Sequence, residues 1–421
     1  MRIFMTQTLW ASVLFIAINT QLLAETNLRL SQAEKLAVER DVVLQMQQAR
    51  SKAYLERSVA DDTLPDPRIM VGLVNYPTDT FNRDQEPMTQ TRIAVQQMFP
   101  RGESLEIKSR RTLKNSEASQ AAALNRERMV LLQTRSVYLD LFYWQRAEEV
   151  VKQNKQLFKQ LVEITESQYA SGIQRQQDVI RAELEHDMLD DRLDMIKTRQ
   201  QQIESKLAKL IGPAIRQPSL GSQLPRLADI QLDGNIVSSI RHHPKLKIED
   251  AKVSRSQYGI ELARQSYKPA WMLEVAYGLR DGTNPDGSER ADFASAMVSF
   301  DIPLFTKDKQ DRQVAASQLN YQAASNAREE TLRELVSDYE QTKASWLKLR
   351  ERLQRYKKVI LPQSRENASA SLLAYQSRRG DFTSLMRARI TELETELKFS
   401  RLETDLLKAQ ARLLYLVGET Q

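Results

Sequence analysis

Five methionines, Met70, Met88, Met98, Met272 and Met297, fall in or beside short segments that alternate in polarity, and His242 is followed directly by His243. Thioethers bind soft ions such as Cu(I), and paired imidazoles are ligands for transition metals. Packing is the competing explanation. Methionine fills irregular apolar gaps, and the 421-residue chain has only three histidines and no cysteine. Disulfides, thiolate sites and cysteine nucleophiles are therefore excluded. No Ser-His-Asp order, phosphate loop or metal motif stands out among the scattered acids. The residues predict a protein that is not an enzyme, with no cofactor and no metal site of its own.

The elements that carry these residues come in two copies. "LSQAEKLAVERDVVLQMQQA" from Leu30 lies over "LDGNIVSSIRHHPKLKIEDA" from Leu232, an offset of 202 shared by Leu44 and Leu246, Ala49 and Ala251, and Pro67 and Pro269. Val95 and Val298, and Pro100 and Pro303, are offset by 203. "YASGIQRQQDVIRAELE" from Tyr169 lies over "YQSRRGDFTSLMRARIT" from Tyr375 at 206, and "LIG" at 210–212 precedes "LVG" at 416–418. Matches that keep order and spacing mark a tandem duplication. The expected division is a first repeat over 25–212, a linker over 213–231 and a second repeat over 232–421.

Each repeat contains two period-two runs joined by a polar loop. In the first they lie in 64–77 and 91–99, giving a hairpin over 68–99; in the second, 268–280 and 294–302 give a hairpin over 270–302. The loop "DGTNPDGS" is a strong turn signal. Four strands of about ten residues, each with an apolar and a polar face, suit a transmembrane β-barrel. Four cannot close one, and lipid tolerates no open edge. Either the sheet is soluble or several chains pool their strands, three chains giving twelve.

Helical patterns fill the rest. They run over 30–62, 102–171 and 173–211, then over 232–267, 306–379 with a kink at Pro362, and 381–417. In each repeat the two shorter helices together come within two residues of the long one, so stacked end to end they would match it over about 100 Å.

At the N-terminus, Arg2, the apolar "LWASVLFIAI" and Ala24 make an export signal over 1–24. An uncleaved anchor is the alternative, although the apolar run is short for a span. Net charge is +6, from 61 basic and 55 acidic side chains spread along the chain. That spread describes solvated helix faces and gives no nucleic-acid surface.

The duplicated order of helix, β-hairpin, long helix, glycine turn and helix resembles the TolC family of outer-membrane efflux factors over about 28–418. Tyr169–Ala182, Tyr375–Ala388, the closing "L-[IV]-G" tripeptides, Pro100 and Pro303 carry the resemblance. It implies a mainly α fold with a small β part. Long helical hairpins would form a periplasmic tunnel, and four strands per chain would enter a trimeric twelve-stranded outer-membrane barrel. It also implies a passive exit duct. Its partners would be two further copies, a periplasmic membrane-fusion adaptor, an inner-membrane RND-type transporter and outer-membrane lipid. Most of the mass would lie in the periplasm.

By the same resemblance, the turns at Gly172 and Gly380 form the periplasmic gate. Asp178 would pair there with Arg378 or Arg379 in the closed state. Ser384 and Arg387 stand where some members place paired aspartates, leaving Asp381 as the acid nearby. Glu274 and Asp301 would face the barrel lumen. With Glu25 where some members carry a lipidated cysteine, no such anchor is expected. Residues 84–105 look most like channels of the CzcC and CusC type, which serve heavy-metal pumps. A drug or type I secretion duct, or a soluble periplasmic scaffold, are the alternatives.

Overall fold

The computed structural model describes residues 27–213, 218–230 and 236–417. The export signal lies outside the described residues. The first repeat runs α1 (Leu30–Arg40), α2 (Val42–Asp61), β1 (Arg68–Val74), β2 (Gln90–Phe99), α3 (Ser104–Ala170) and α4 (Gln176–Ile211). The second runs α5 (Ile236–Arg241), α6 (Pro244–Gln265), β3 (Ala270–Leu279), β4 (Phe293–Asp301), α7 (Gln310–Arg355), a π turn (Tyr356–Ile360), α8 (Leu361–Gln376) and α9 (Phe382–Val417).

Helix α3 is 67 residues long and contains no glycine or proline, so nothing in it interrupts the ladder. Its counterpart, Gln310–Gln376, has the same length but contains Pro362. Proline has no N–H to donate and its ring crowds the carbonyl one turn back. The chain absorbs this in the π turn, where the Leu361 N–H reaches the Tyr356 carbonyl, and continues as helix.

Two helices that the sequence reads as continuous are broken. The stretch 30–62 divides at Asp41, whose carboxylate accepts the Leu44 N–H at 2.6 Å and so starts α2 afresh. The stretch 232–267 divides at His243, where Pro244 takes the first position of α6. Strand β1 has seven residues rather than about ten. Pro65 and Pro67 precede it, and Asn75 ends it in a left-handed conformation, φ 57°.

Helix α3 is the spine. Along its first half it meets α2 and α6, through Ser116 on Ser51 and Asn115 on Arg255. Along its second half it meets α4 and α9, through Lys155 on Asp190 and Asp140 on Lys408. The cores follow the same division. Val151, Phe158, Leu189, Ile196 and Leu385 are buried in the turn-proximal half, and Ala33, Leu141, Leu207 and Ile211 are buried near the middle. Each such Val, Leu, Ile or Phe side chain stabilises the packing by about 1.5–3 kcal/mol.

The strands form one antiparallel sheet in the order β1-β2-β3-β4. The β2–β3 pair joins the two repeats, with Phe99 stacked on Trp271 at a centroid separation of 3.8 Å. Within the chain, β1 and β4 are edges.

Candidate functional site

Alternation and register assign every strand residue to one of two faces. One face carries Ile69, Val71, Leu73, Ile93, Val95, Trp271, Leu273, Val275, Tyr277, Val298 and Phe300. It is apolar and open, with Val95 47% and Val275 54% exposed. The other carries Arg68, Gly72, Arg92, Ala94, Gln96, Glu274, Ala276, Gly278 and Ser295. It is the sheltered face, with Ala276 and Glu274 buried at 4% and 8% exposure.

Of the two lumen candidates, Glu274 sits centrally on the sheltered face. Arg92 pairs with its carboxylate, and Gln96 Nε2 donates to Oε2 at 3.3 Å. Two donors from β2 therefore match the acid on β3. Asp301 ends β4, is solvent-exposed, and lies 3.9 Å from the Arg101 guanidinium. Beyond the strands, away from the helices, arginines bind the two hairpin loops together. Arg290 Nη1 donates to the carbonyls of Asp84 at 3.0 Å and Glu86 at 3.2 Å, Arg280 Nη2 to that of Pro87 at 2.6 Å, and Arg83 pairs with Asp281. Sequence reasoning did not single these arginines out, because nothing local marks a partner some 200 residues away.

At the opposite end lie the two helical turns. Gly172 takes a left-handed conformation, φ 70°, and its N–H bonds the Tyr169 carbonyl. In the second turn the same conformation, φ 60°, and the equivalent bond to Tyr375 belong to Arg378, not to Gly380. The equivalence also separates the acids. Asp178 lies in the first turn of α4, whereas Asp381 precedes α9 and accepts from the Ser384 N–H at 2.9 Å and hydroxyl at 2.7 Å. Those bonds hold the Asp381 carboxyl below its ordinary range.

The turns are brought together. Tyr375 donates to Gln168 at 2.8 Å and packs on Phe382, while Arg181 reaches Thr383 at 3.2 Å. Burial raises the Tyr375 phenol above its ordinary pKa, and the nearby Asp178 carboxylate adds to the shift. Within one chain, among the described residues, Asp178 makes no ion pair with Arg378 or Arg379.

The histidine pair does not converge on a ligand. The Nδ1 of buried His243 accepts the Lys245 N–H at 3.1 Å, so Nε2 carries the proton and donates to the Tyr415 carbonyl at 3.2 Å. Both nitrogens are used, and burial lowers the pKa to about 4. His242 Nδ1 lies instead 2.9 Å from the Ser238 carbonyl. On α4, ligand-type atoms of His186, Asp187 and Asp190 lie within 4.8 Å of one another, with Lys155 on Asp190 at 2.5 Å. Among the described residues no helix is long and apolar enough to cross a membrane.

A two-edged sheet with one apolar face, set on long duplicated helical hairpins, is a specific arrangement. Residues 235–419 match the family model described as outer membrane efflux protein. The fold is that of outer-membrane efflux channels. The solved outer-membrane channel OprN superposes with a TM-score of 0.80 at 18% identity, over 93% of this chain and 90% of that one. The structure of CusC gives 0.80 at 12% identity, covering 94% and 93% respectively. The outer membrane protein VceC from Vibrio cholerae gives 0.76 at 17% identity, covering 92% and 96%. Sequence comparison with curated proteins gives no match. The efflux protein family consists of transport ducts, not enzymes.

Proposed function

We propose that this chain is the outer-membrane exit duct of a tripartite efflux system. It passively conducts cargo to the outside from an inner-membrane RND-type transporter and a periplasmic membrane-fusion adaptor. The observation that carries this reading is the sheet. Its open face is apolar from Ile69 to Phe300, its other face carries the charged and amide side chains Arg68, Arg92, Gln96 and Glu274, and the outer edges of β1 and β4 have no partner strand within the chain. Open edges are not tolerated in hydrocarbon, so copies must pool their strands, and three copies close a twelve-stranded barrel. The helices then form the periplasmic part, built from the repeats 25–212 and 232–421 with 213–231 between them. The turns around Gly172 and Arg378 form its entrance, where Asp178 closes against Arg378 or Arg379 of an adjacent copy.

The cargo in this reading is heavy-metal cations. Residues 84–105 support it through their likeness to channels of the CzcC and CusC type. The match to OprN is as good as that to CusC, so the fold itself does not choose the cargo. Two measurements test the reading. The purified protein should be trimeric in detergent and conduct in planar bilayers; a monomer without conductance overturns the duct. A strain lacking the gene should become hypersensitive to some of copper, silver, zinc, cobalt and cadmium. Drug sensitivity with normal metal tolerance would overturn the metal cargo and leave the duct standing.

A further inference from the structure

The strands contain four methionines, Met70, Met98, Met272 and Met297, and all four lie on the sheltered face. That placement is the reverse of what packing requires. The apolar face would accept methionine at any position and has none. Apart from Val74 and Phe293 at its far end, the sheltered face is otherwise polar or small, and Met98 and Met297 remain 46% and 54% exposed there. These side chains fill no core, so gap-filling does not explain them.

Three of the four are neighbours. Met98 on β2 is the direct cross-strand partner of Met272 on β3. Met272 faces Ser299 on β4, two residues from Met297, which itself faces Glu274. Direct partners have Cβ atoms about 5 Å apart and diagonal ones about 7–8 Å, within reach of long flexible side chains. The third row partner, Ser299, is small, which leaves room above Met272. The central carboxylate does not compete, because Arg92 and Gln96 occupy Glu274. Asp301, diagonal to Met272 at the end of β4, is a single exposed acid 3.9 Å from the Arg101 guanidinium. One such acid is a poor site for a hard divalent cation, whereas a soft ion finds three thioethers.

We propose that Met98, Met272 and Met297 form a thioether site for a soft monovalent cation of the Cu(I) or Ag(I) type on the inner wall of the barrel. The site rests on the duct reading, which turns the sheltered face toward the lumen, and it narrows the cargo to soft ions. Each copy contributes one site.

The test uses purified full-length protein in chloride-free buffer with silver nitrate as the probe. Equilibrium dialysis should show about one silver ion per chain that is lost, or weakened about tenfold or more, in the M98L/M272L/M297L variant. The Met70→Leu variant, altered two rows away, should bind as the wild type does. Equal binding by the wild type and the triple variant, or none by either, overturns the site. Leucine is close to methionine in volume, and potassium conductance in bilayers reports whether the triple variant still assembles. If it does not, the single variants Met98→Leu and Met297→Leu should each weaken silver binding, and unchanged binding overturns the site. Silver should reduce the wild-type conductance and leave that of the triple variant unchanged. A wild type that conducts but ignores silver overturns the site alone; failure of any preparation to conduct overturns the duct reading, and dialysis still decides the thioethers.

Discussion

Gly172 and Arg378 hold the same left-handed backbone position in the two hairpin turns, with φ of 70° and 60°. Glycine adopts it freely, whereas a Cβ there costs about 1 kcal/mol. Gly172→Ala should therefore destabilise the first turn by about 1 kcal/mol, and Arg378→Gly should leave the second unchanged or slightly firmer. Gly380→Ala should cost through contact instead, since a Cβ there comes within 3.0 Å of the Ala374 Cβ. Hydrogen exchange at the turn amides would report each change. Equal losses from Gly172→Ala and Arg378→Gly would refute the equivalence.

Among the described residues Asp178 makes no ion pair with Arg378 or Arg379 inside one chain, and the proposed gate places its closing partner on an adjacent copy. Asp178→Ala should raise single-channel conductance of the assembled protein, and Arg378→Ala or Arg379→Ala should do the same for whichever arginine is the partner. Unchanged conductance in all three would sink the gate.

Asp41 has two tasks. It caps α2 through the Leu44 N–H and takes Arg126 from α3 in two bonds of 3.0 and 2.8 Å. The Arg126 bonds, with the cap, hold its carboxyl below the ordinary value. This contribution is complete above the unfolded-state pKa near 3.8 and is lost as pH falls through the lower folded value. Asp41→Ala should cost about 1–2 kcal/mol and Asp41→Asn less, because asparagine still caps. Equal thermal shifts for the two variants would show that the cap contributes nothing.

The two helices that broke show where sequence reading stops. A helix pattern is visible from apolar spacing and the absence of proline, and α3 and α9 appear where that pattern places them. The break at Asp41 is made by its own cap on the Leu44 N–H and held by Arg126, 85 residues away; an aspartate inside a helical pattern announces the first only weakly and the second not at all. Gly380 drew attention because glycine commonly ends helices, while the strained residue is an arginine two positions earlier. The period-two runs were legible. The tie between Arg92 and Glu274 was not, because register between strands of different repeats is set by the whole sheet.

His243 carries a pH dependence of the opposite chemical type to Asp41. Its folded pKa of about 4 lies below the unfolded value near 6.5. Between these values the unfolded chain binds a proton that the folded chain refuses, so stability falls as pH drops from 6.5 toward 4. The loss should reach about 2–3 kcal/mol. His243→Asn retains a capping side chain and should flatten the change in melting temperature between pH 7.5 and pH 5. An equally steep profile in the variant would assign the dependence to other groups.

Glu274 balances Arg92 on the sheltered face, and in the proposed duct that balance would set ion preference. Replacing Glu274 with Gln preserves shape and leaves the Arg92 charge unmatched, once in each copy. An unpaired charge in a confined lumen attracts counter-ions. The Glu274→Gln channel should shift toward anions, measured as a changed reversal potential in a salt gradient. Adding Arg92→Gln should return selectivity to the wild-type value, because both charges are then gone. If Glu274→Gln leaves the reversal potential unchanged, the pair does not face the conducting path; if the double variant stays anion-selective, another group, such as Arg68 on the same row, sets the preference.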